Sequence, residues 1–137
     1  MNICFHIVLK LTGSAVSPLN RKSDKMENWL DEDEAAITIC DLNGIILYMN
    51  ERSKRSFTKY DDSGVAVGSS LIECHPEPSR SKLLSMLKEP MTNVYTIEKR
   101  GVKKLIRQSP WYNNGIFSGV VEISFEIPID MAHHVRE

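Results

Sequence analysis

Hydrophobic and polar residues alternate most regularly in the segment between Phe117 and Ile127. Five apolar residues share one face of an extended chain, and they are Phe117, Val121, Ile123, Phe125 and Ile127. Four polar residues share the other face, and they are Ser118, Glu122, Ser124 and Glu126. This period of two is typical of a half-buried antiparallel strand. Pro128 should end the strand, because proline cannot donate a ladder hydrogen bond.

Four further segments have the composition of strands. Two are rich in β-branched and apolar residues, at 36–40 and 45–49, and Asn43-Gly44 between them predicts a hairpin with a type I′ turn. The other two, at 93–99 and 102–111, are separated by Gly101, and Asn113-Asn114-Gly115 predicts a tight turn before the alternating segment. These patterns predict five strands in two blocks.

The segment between the two blocks of strands has helical features. Asn50 is a good N-cap for a short helix through Phe57. Ser79 can cap a longer helix, which Pro90 should stop, with Leu83, Leu84 and Leu87 on one face. Helices grouped between blocks of antiparallel strands predict an α+β fold with the helices on one face of the sheet.

The first part of the chain differs from the rest. Residues 1–25 predict a poorly ordered leader, and the alternative is an amphipathic docking segment. From Asp24 onward the pattern is helical, with Met26, Trp29 and Leu30 at i, i+3 and i+4. The acidic run that follows opposes the helix dipole, so we expect the helix to stop near it. We expect this apolar stripe to pair with a second copy of the chain. Residues 129–137 form a tail.

Composition narrows the class of protein. The chain has 137 residues, which suits one domain, and a net charge of −1, which argues against a strongly basic nucleic-acid binder. No apolar run is long enough to span a membrane. Cys4, Cys40 and Cys74 are odd in number and widely separated, so we expect no disulfide framework and a reducing, cytoplasmic setting.

Three motifs in this order resemble those of a PAS domain. The first is Asp41-Leu42-Asn43-Gly44-Ile45-Ile46 followed by Asn50, which is similar to the first hairpin of the family. The second is Val67-Gly68-Ser69-Ser70-Leu71, which looks like a short family helix. The third, from Pro110 to Gly119, looks like a later hairpin with two spaced glycines. Cys74-His75-Pro76 resembles a sequence found in a subset of bacterial and archaeal members.

The resemblance covers about residues 26–128 and implies a PAS-like five-stranded antiparallel sheet with short helices on one face and an N-terminal flanking helix. It also implies a sensory module that binds a small ligand or a partner, transmits the change through its sheet and flanking helix, and acts on a separate output protein. The apolar stripe of that helix predicts that the module is a dimer. The alternative is a ligand-free interaction domain. We expect no direct contact with nucleic acid or membrane.

The resemblance and the residues favour no cofactor. Cys74 and His75 are possible metal or haem ligands, but adjacent residues rarely chelate one metal. In haem-binding members the proximal His lies inside the long helix, where this chain has Ser81-Lys82-Leu83-Leu84. The cysteine of light-sensing members comes three residues after a glycine, and Leu71 stands at that place after Gly68. Haem and a flavin photoadduct are therefore not expected.

Several residues are candidates for a ligand pocket. They are Met49, Phe57, Leu71, His75, Leu87, Tyr95, Arg107 and Ile123. Arg107 could hold a ligand carboxylate if its side chain faces inward, or be a solvated charge if it faces outward, and strand parity leaves both open. The basic cluster Lys99-Arg100-x-x-Lys103-Lys104 is either a solvated turn or an electrostatic docking patch. No catalytic motif is present, so we expect no enzyme activity.

Overall fold

The computed structural model describes residues 29–60 and 64–137. The predicted leader at 1–25 and the predicted helix residue Met26 lie outside these ranges. Within them the elements follow in this order: α1 (Trp29–Glu32), β1 (Ala36–Asp41), β2 (Ile46–Met49), α2 (Glu51–Tyr60), α3 (Ser79–Lys88), β3 (Asn93–Lys99), β4 (Val102–Asn113) and β5 (Ile116–Ile127). No helix in the described ranges is long and apolar enough to cross a membrane.

The five strands form one antiparallel sheet in the order β2-β1-β5-β4-β3. The first hairpin therefore pairs with the last strand of the chain, and β5 lies at the centre. The outer edge of β2 is covered, since the Ile46 amide donates to the Ser69 carbonyl and the Gly68 amide donates to the Ile46 carbonyl. This cover keeps the edge from pairing with another chain. The predicted α+β fold class is confirmed.

The two hairpins with an Asn-Gly pair use different turns. Asn114 and Gly115 both have positive φ, at 50° and 79°, as a type I′ turn requires. In the first hairpin only Gly44 has positive φ, and the Gly44 amide donates to the Asp41 carbonyl. The predicted type I′ turn is wrong there. The Asp41 carboxylate accepts from the amides of Asn43 and Ile45, each at 2.9 Å, and this stabilises a longer turn.

The two longer helices match the predicted segments with changes in detail. Asn50 caps α2, because its Oδ1 accepts from the Ser53 amide at 2.9 Å. Ser79 is the first residue of α3 and Pro78 occupies the N-cap position without a side-chain bond, so the predicted Ser79 cap is wrong. Leu84 is exposed and Met86 is buried beside the other leucines of α3. The helix is rotated relative to the predicted apolar face.

The hydrophobic core lies between α3 and one end of the sheet. Its buried residues come from β1, β2, β5, the 68–75 turn segment and α3, and they are Cys40, Ile46, Met49, Val120, Leu71, Leu83, Met86 and Leu87. The core occupies only part of the space between helices and sheet. The rest of that space is lined partly by polar side chains.

Candidate functional site

Strand alternation gives the sheet an inner face toward the helices and an outer face away from them. Register places Cys40 beside Val120 and Thr38 beside Glu122 on the inner face. The apolar residues Val121, Ile123 and Phe125 therefore lie on the outer face. The sequence correctly predicts which β5 residues share a face, but it is the polar face of β5 that points toward the helices.

A row of polar side chains crosses the inner face next to the core. Thr38, Glu122, Gln108 and Asn93 stand opposite one another on β1, β5, β4 and β3. Gln108 Nε2 donates to Glu122 Oε2 at 2.7 Å, and Asn93 Nδ2 donates to Gln108 Oε1 at 2.9 Å. These bonds satisfy groups that would otherwise be costly to bury. We call these four residues the polar row.

His75 contacts the polar row from the helical side. Its Nδ1 lies 2.8 Å from the Leu71 carbonyl oxygen, so Nδ1 carries a proton and donates to that oxygen. Its Nε2 lies 3.6 Å from Glu122 Oε2, a contact that is attractive only when Nε2 is also protonated. Burial lowers the pKa of His75, but the contacts with Glu122 and Leu71 outweigh it, and the pKa is raised above 6.5.

Neither cysteine in the described part of the chain, Cys40 or Cys74, is activated. Burial raises the pKa of Cys40 to about 11, which keeps it a neutral thiol in the core. Cys74 Sγ donates to the Ser70 carbonyl, and burial raises its pKa as well. His75 Nδ1 is occupied by the Leu71 carbonyl, and the Cys74 thiol proton by the Ser70 carbonyl. No group of three or more metal-ligating side chains exists within residues 29–60 and 64–137.

Beyond the polar row lies a cavity of about 290 Å³ between α2 and the open end of the sheet. Its apolar lining consists of Ala36, Phe57, Ile97, Val102 and Ile106. Its polar lining consists of Thr38, Ser53, Ser56, Lys99, Lys104, Glu122 and Ser124. Hydrophobic walls with a few polar groups are typical of small-molecule sites, and this volume is near the lower limit for drug-sized ligands. We call it the inner cavity.

Ser53 and Asn50, which are both buried, connect the inner cavity to α1. Thr38 Oγ1 and Ser53 Oγ share a hydrogen bond of 2.6 Å in the cavity wall. The Ser53 amide donates to Oδ1 of Asn50, whose Nδ2 donates to the carbonyls of Leu30 at 3.0 Å and Ala35 at 2.8 Å. Asn50 therefore holds α1, β1 and the start of α2 together.

Six of the eight pocket residues predicted from the sequence lie on the inner side of the sheet, in four different places. Phe57 lines the inner cavity. Met49, Leu71 and Leu87 belong to the core, and His75 contacts the polar row. Tyr95 lines a second cavity of about 290 Å³ beside α3, together with Asn93, Gln108 and Lys82.

The prediction that Arg107 and Ile123 line a ligand pocket needs a correction. They face each other in the β4–β5 register at positions that alternate with the cavity-lining Ile106 and Ser124, so both lie on the outer face. Arg107 is exposed and its guanidinium donates to Ser109 Oγ at 2.8 Å. The inward alternative for Arg107 is therefore wrong. The period of two could not settle this, because it fixes which residues share a face and leaves open which face is covered.

The polar lining of the inner cavity was not predicted from the sequence. Thr38, Ser53, Lys104, Glu122 and Ser124 were not among the predicted site residues. The sequence feature that could have indicated this lining is the regular polar stripe of β5, but such a stripe is typical of a face exposed to solvent. Trp29 and Leu30 of the predicted dimer helix are exposed.

The fold is similar to that of solved PAS domains. The PAS domain of BvgS from Bordetella pertussis matches with a TM-score of 0.54 at 16% identity, over 80% of this chain and 88% of that one. The PAS domain of an HTR-like protein from Haloarcula marismortui matches with a TM-score of 0.53 at 19% identity, over 78% and 98% of the two chains. A sensory box sensor histidine kinase from Vibrio cholerae matches with a TM-score of 0.51 at 17% identity, over 80% and 94%.

Comparison by sequence gives no match to a protein-family model or to a curated protein. The assignment therefore depends on the sheet order and the covering helices, which these neighbours share with this chain. The chain therefore has a PAS-like fold.

Proposed function

We propose that this chain is a sensory signalling module that binds a small ligand in the inner cavity and passes the change to α1. The observation that carries the proposal is the connection from the cavity wall through Ser53 and Asn50 to the Leu30 carbonyl of α1. The volume of about 290 Å³ favours a metabolite-sized ligand over a tetrapyrrole or a flavin. The solved neighbours include a PAS domain of a histidine kinase, the sensor region of a sensor histidine kinase and a sensory box sensor histidine kinase, which supports a signalling role.

A ligand can act through this connection because the residues involved are shared. A group that hydrogen-bonds Thr38 or Ser53 competes with the bond between their hydroxyls in the cavity wall. Since Ser53 also holds Asn50 through its amide, movement of the first turn of α2 changes the support of α1. Such a switch requires that the ligand bind one arrangement more tightly than the other.

A metabolite screen by thermal shift tests ligand binding. Ser124→Phe fills the inner cavity, and Ile123→Phe is the matched control on the outer face of the same strand. We expect at least one metabolite to raise the melting temperature of the wild type and of Ile123→Phe while leaving Ser124→Phe unchanged. Native mass spectrometry and an ultraviolet–visible spectrum of the purified protein would report a retained ligand. A screen without any stabilising compound would contradict the sensing role.

The second candidate is a ligand-free interaction domain that forms a homodimer, and a homodimer is also compatible with sensing. Exposed apolar side chains on α1 and the outer face favour it, with Trp29 53%, Val94 53% and Phe125 40% exposed. Sedimentation equilibrium should give a dimer mass for the wild type and a monomer mass for Trp29→Asp. Val135→Asp, at the exposed tail, should stay dimeric. A monomeric wild type at high protein concentration would exclude this surface as a dimer interface.

A further inference from the structure

The inner cavity contains a positive charge that no residue neutralises. Lys104 is half-buried on β4, directly opposite Glu126 on β5. The Glu126 carboxylate is engaged elsewhere, since its Oε1 lies 3.1 Å from Arg52 on α2. Within the described residues 29–60 and 64–137, Lys104 makes no ion pair and no hydrogen bond. A half-buried lysine whose ammonium has no partner favours an anionic ligand.

A second unpaired donor lies beside it. Ser124 stands opposite Ile106 and is thus the diagonal neighbour of Lys104 on the inner face. Diagonal neighbours in an antiparallel sheet are within reach of a long side chain. The Ser124 hydroxyl has no hydrogen-bond partner in the described part of the chain. One ammonium and one hydroxyl, side by side, match the two oxygens of a single carboxylate.

The Glu122 carboxylate in the cavity wall does not argue against an anionic ligand. Glu122 Oε2 accepts from Gln108 Nε2 at 2.7 Å and lies 3.6 Å from His75 Nε2. Glu122 is therefore hydrogen-bonded to Gln108 and compensated by His75 when Nε2 is protonated, and it does not need a cationic ligand. On the opposite side, Phe57 and Ile97 provide an apolar wall for the rest of the ligand.

We propose that the ligand of the inner cavity is a small monocarboxylate with a short apolar body, held by Lys104 and Ser124. This inference rests on the proposed sensory function and narrows it to one chemical class. The carboxylate accepts hydrogen bonds from the Lys104 ammonium and the Ser124 hydroxyl, and the apolar body packs on Phe57 and Ile97.

Titration calorimetry with paired probes tests the proposal. The probes are isovalerate and phenylacetate, and their neutral counterparts are isovaleramide and phenylacetamide. We expect each acid to bind the full chain about tenfold more tightly than its amide, or better, because the acid makes a charge-assisted bond. Lys104→Met keeps the length of the side chain and should lose this preference. Lys103→Met removes the same charge from the outer face and should retain it.

Three results would overturn the assignment. Equal binding of acids and amides would refute the carboxylate class while supporting a small ligand in the cavity. An equal loss in Lys103→Met and Lys104→Met would show a general charge effect. Absence of binding by both acids and amides would also refute the class, and the metabolite screen with Ser124→Phe then decides separately whether the cavity takes another ligand.

Discussion

Replacing Asn50 should destabilise the domain more than any single surface change, because its fully buried amide joins three elements. Asn50 Oδ1 accepts from the amides of Ile37 at 3.0 Å and Ser53 at 2.9 Å. Its Nδ2 donates to the carbonyls of Leu30 and Ala35. Asn50→Ala removes the N-cap of α2, at about 1 kcal/mol. It also leaves the Ile37 amide without a partner, at about 1–3 kcal/mol, and the two carbonyls add to this.

The expected total for Asn50→Ala is about 3–5 kcal/mol of unfolding free energy. Urea unfolding followed by far-ultraviolet circular dichroism measures it. Asn43→Ala is the matched control, because Asn43 lies in an exposed turn in which only its backbone amide is bonded, and it should cost less than about 0.5 kcal/mol. A loss below about 1 kcal/mol for Asn50→Ala would refute the reasoning, since the cap alone accounts for that much.

Asn50→Asp separates the support of α1 from the cap of α2. A carboxylate keeps both acceptor bonds but cannot donate to Leu30 and Ala35. We expect hydrogen exchange to accelerate in residues 29–35, while the first turn of α2 stays protected. Equal acceleration in both segments would show that α1 is held by contacts other than the Asn50 amide.

Three further predictions concern single positions. Gly119→Ala should lower the free energy of unfolding in urea by about 3 kcal/mol or more, because φ is +150° and a Cβ would overlap the carbonyl of the neighbouring strand β1. The control Gly115→Ala has open space around it and should lower that free energy by about 1–2 kcal/mol. The contribution of His75 should be complete below its unfolded pKa of 6.5 and be lost as pH rises through its raised folded pKa. The difference in unfolding free energy between wild type and His75→Gln should therefore fall over that window, and a pH-independent difference would contradict the ion pair. Leu83→Ala should cost about 2–5 kcal/mol and the exposed Leu84→Ala much less, and equal losses would contradict the observed rotation of α3.

The elements of the fold could be predicted because each has a strong local signal. Alternation identifies β5, and turn residues separate the last three strands. Asn50 could be assigned as an N-cap because a cap needs a short polar side chain at the first turn. Details that depend on neighbours could not be predicted. Leu84 and Met86 are equally apolar in the sequence, and only the packing of α3 on the sheet decides which one is buried.

The inner cavity could not be predicted from the sequence, because an alternating strand is usually interpreted in one way. Such a strand is expected to turn its apolar side to the core and its polar side to solvent. In β5 the polar side faces the helices, since Glu122 and Ser124 line the cavity, and the apolar Phe125 is 40% exposed on the outer face. Only the pairing of β5 with β1 and β4 reveals this. The outer face therefore has the properties of an interface, and the inner face has those of a binding site.

The polar row is costly for a domain of this size, and that cost argues for a function. A small domain has little apolar surface to bury, and apolar residues at Thr38, Gln108 and Glu122 would extend the core across the sheet. The hydrogen bonds of the row offset much of the free-energy cost of removing its polar groups from water, but they add little net stability. What the row does provide is a fixed polar boundary between the core and the cavity, with Glu122 compensated and Lys104 left unpaired. Stability alone does not require this arrangement, whereas the proposed ligand site depends on it.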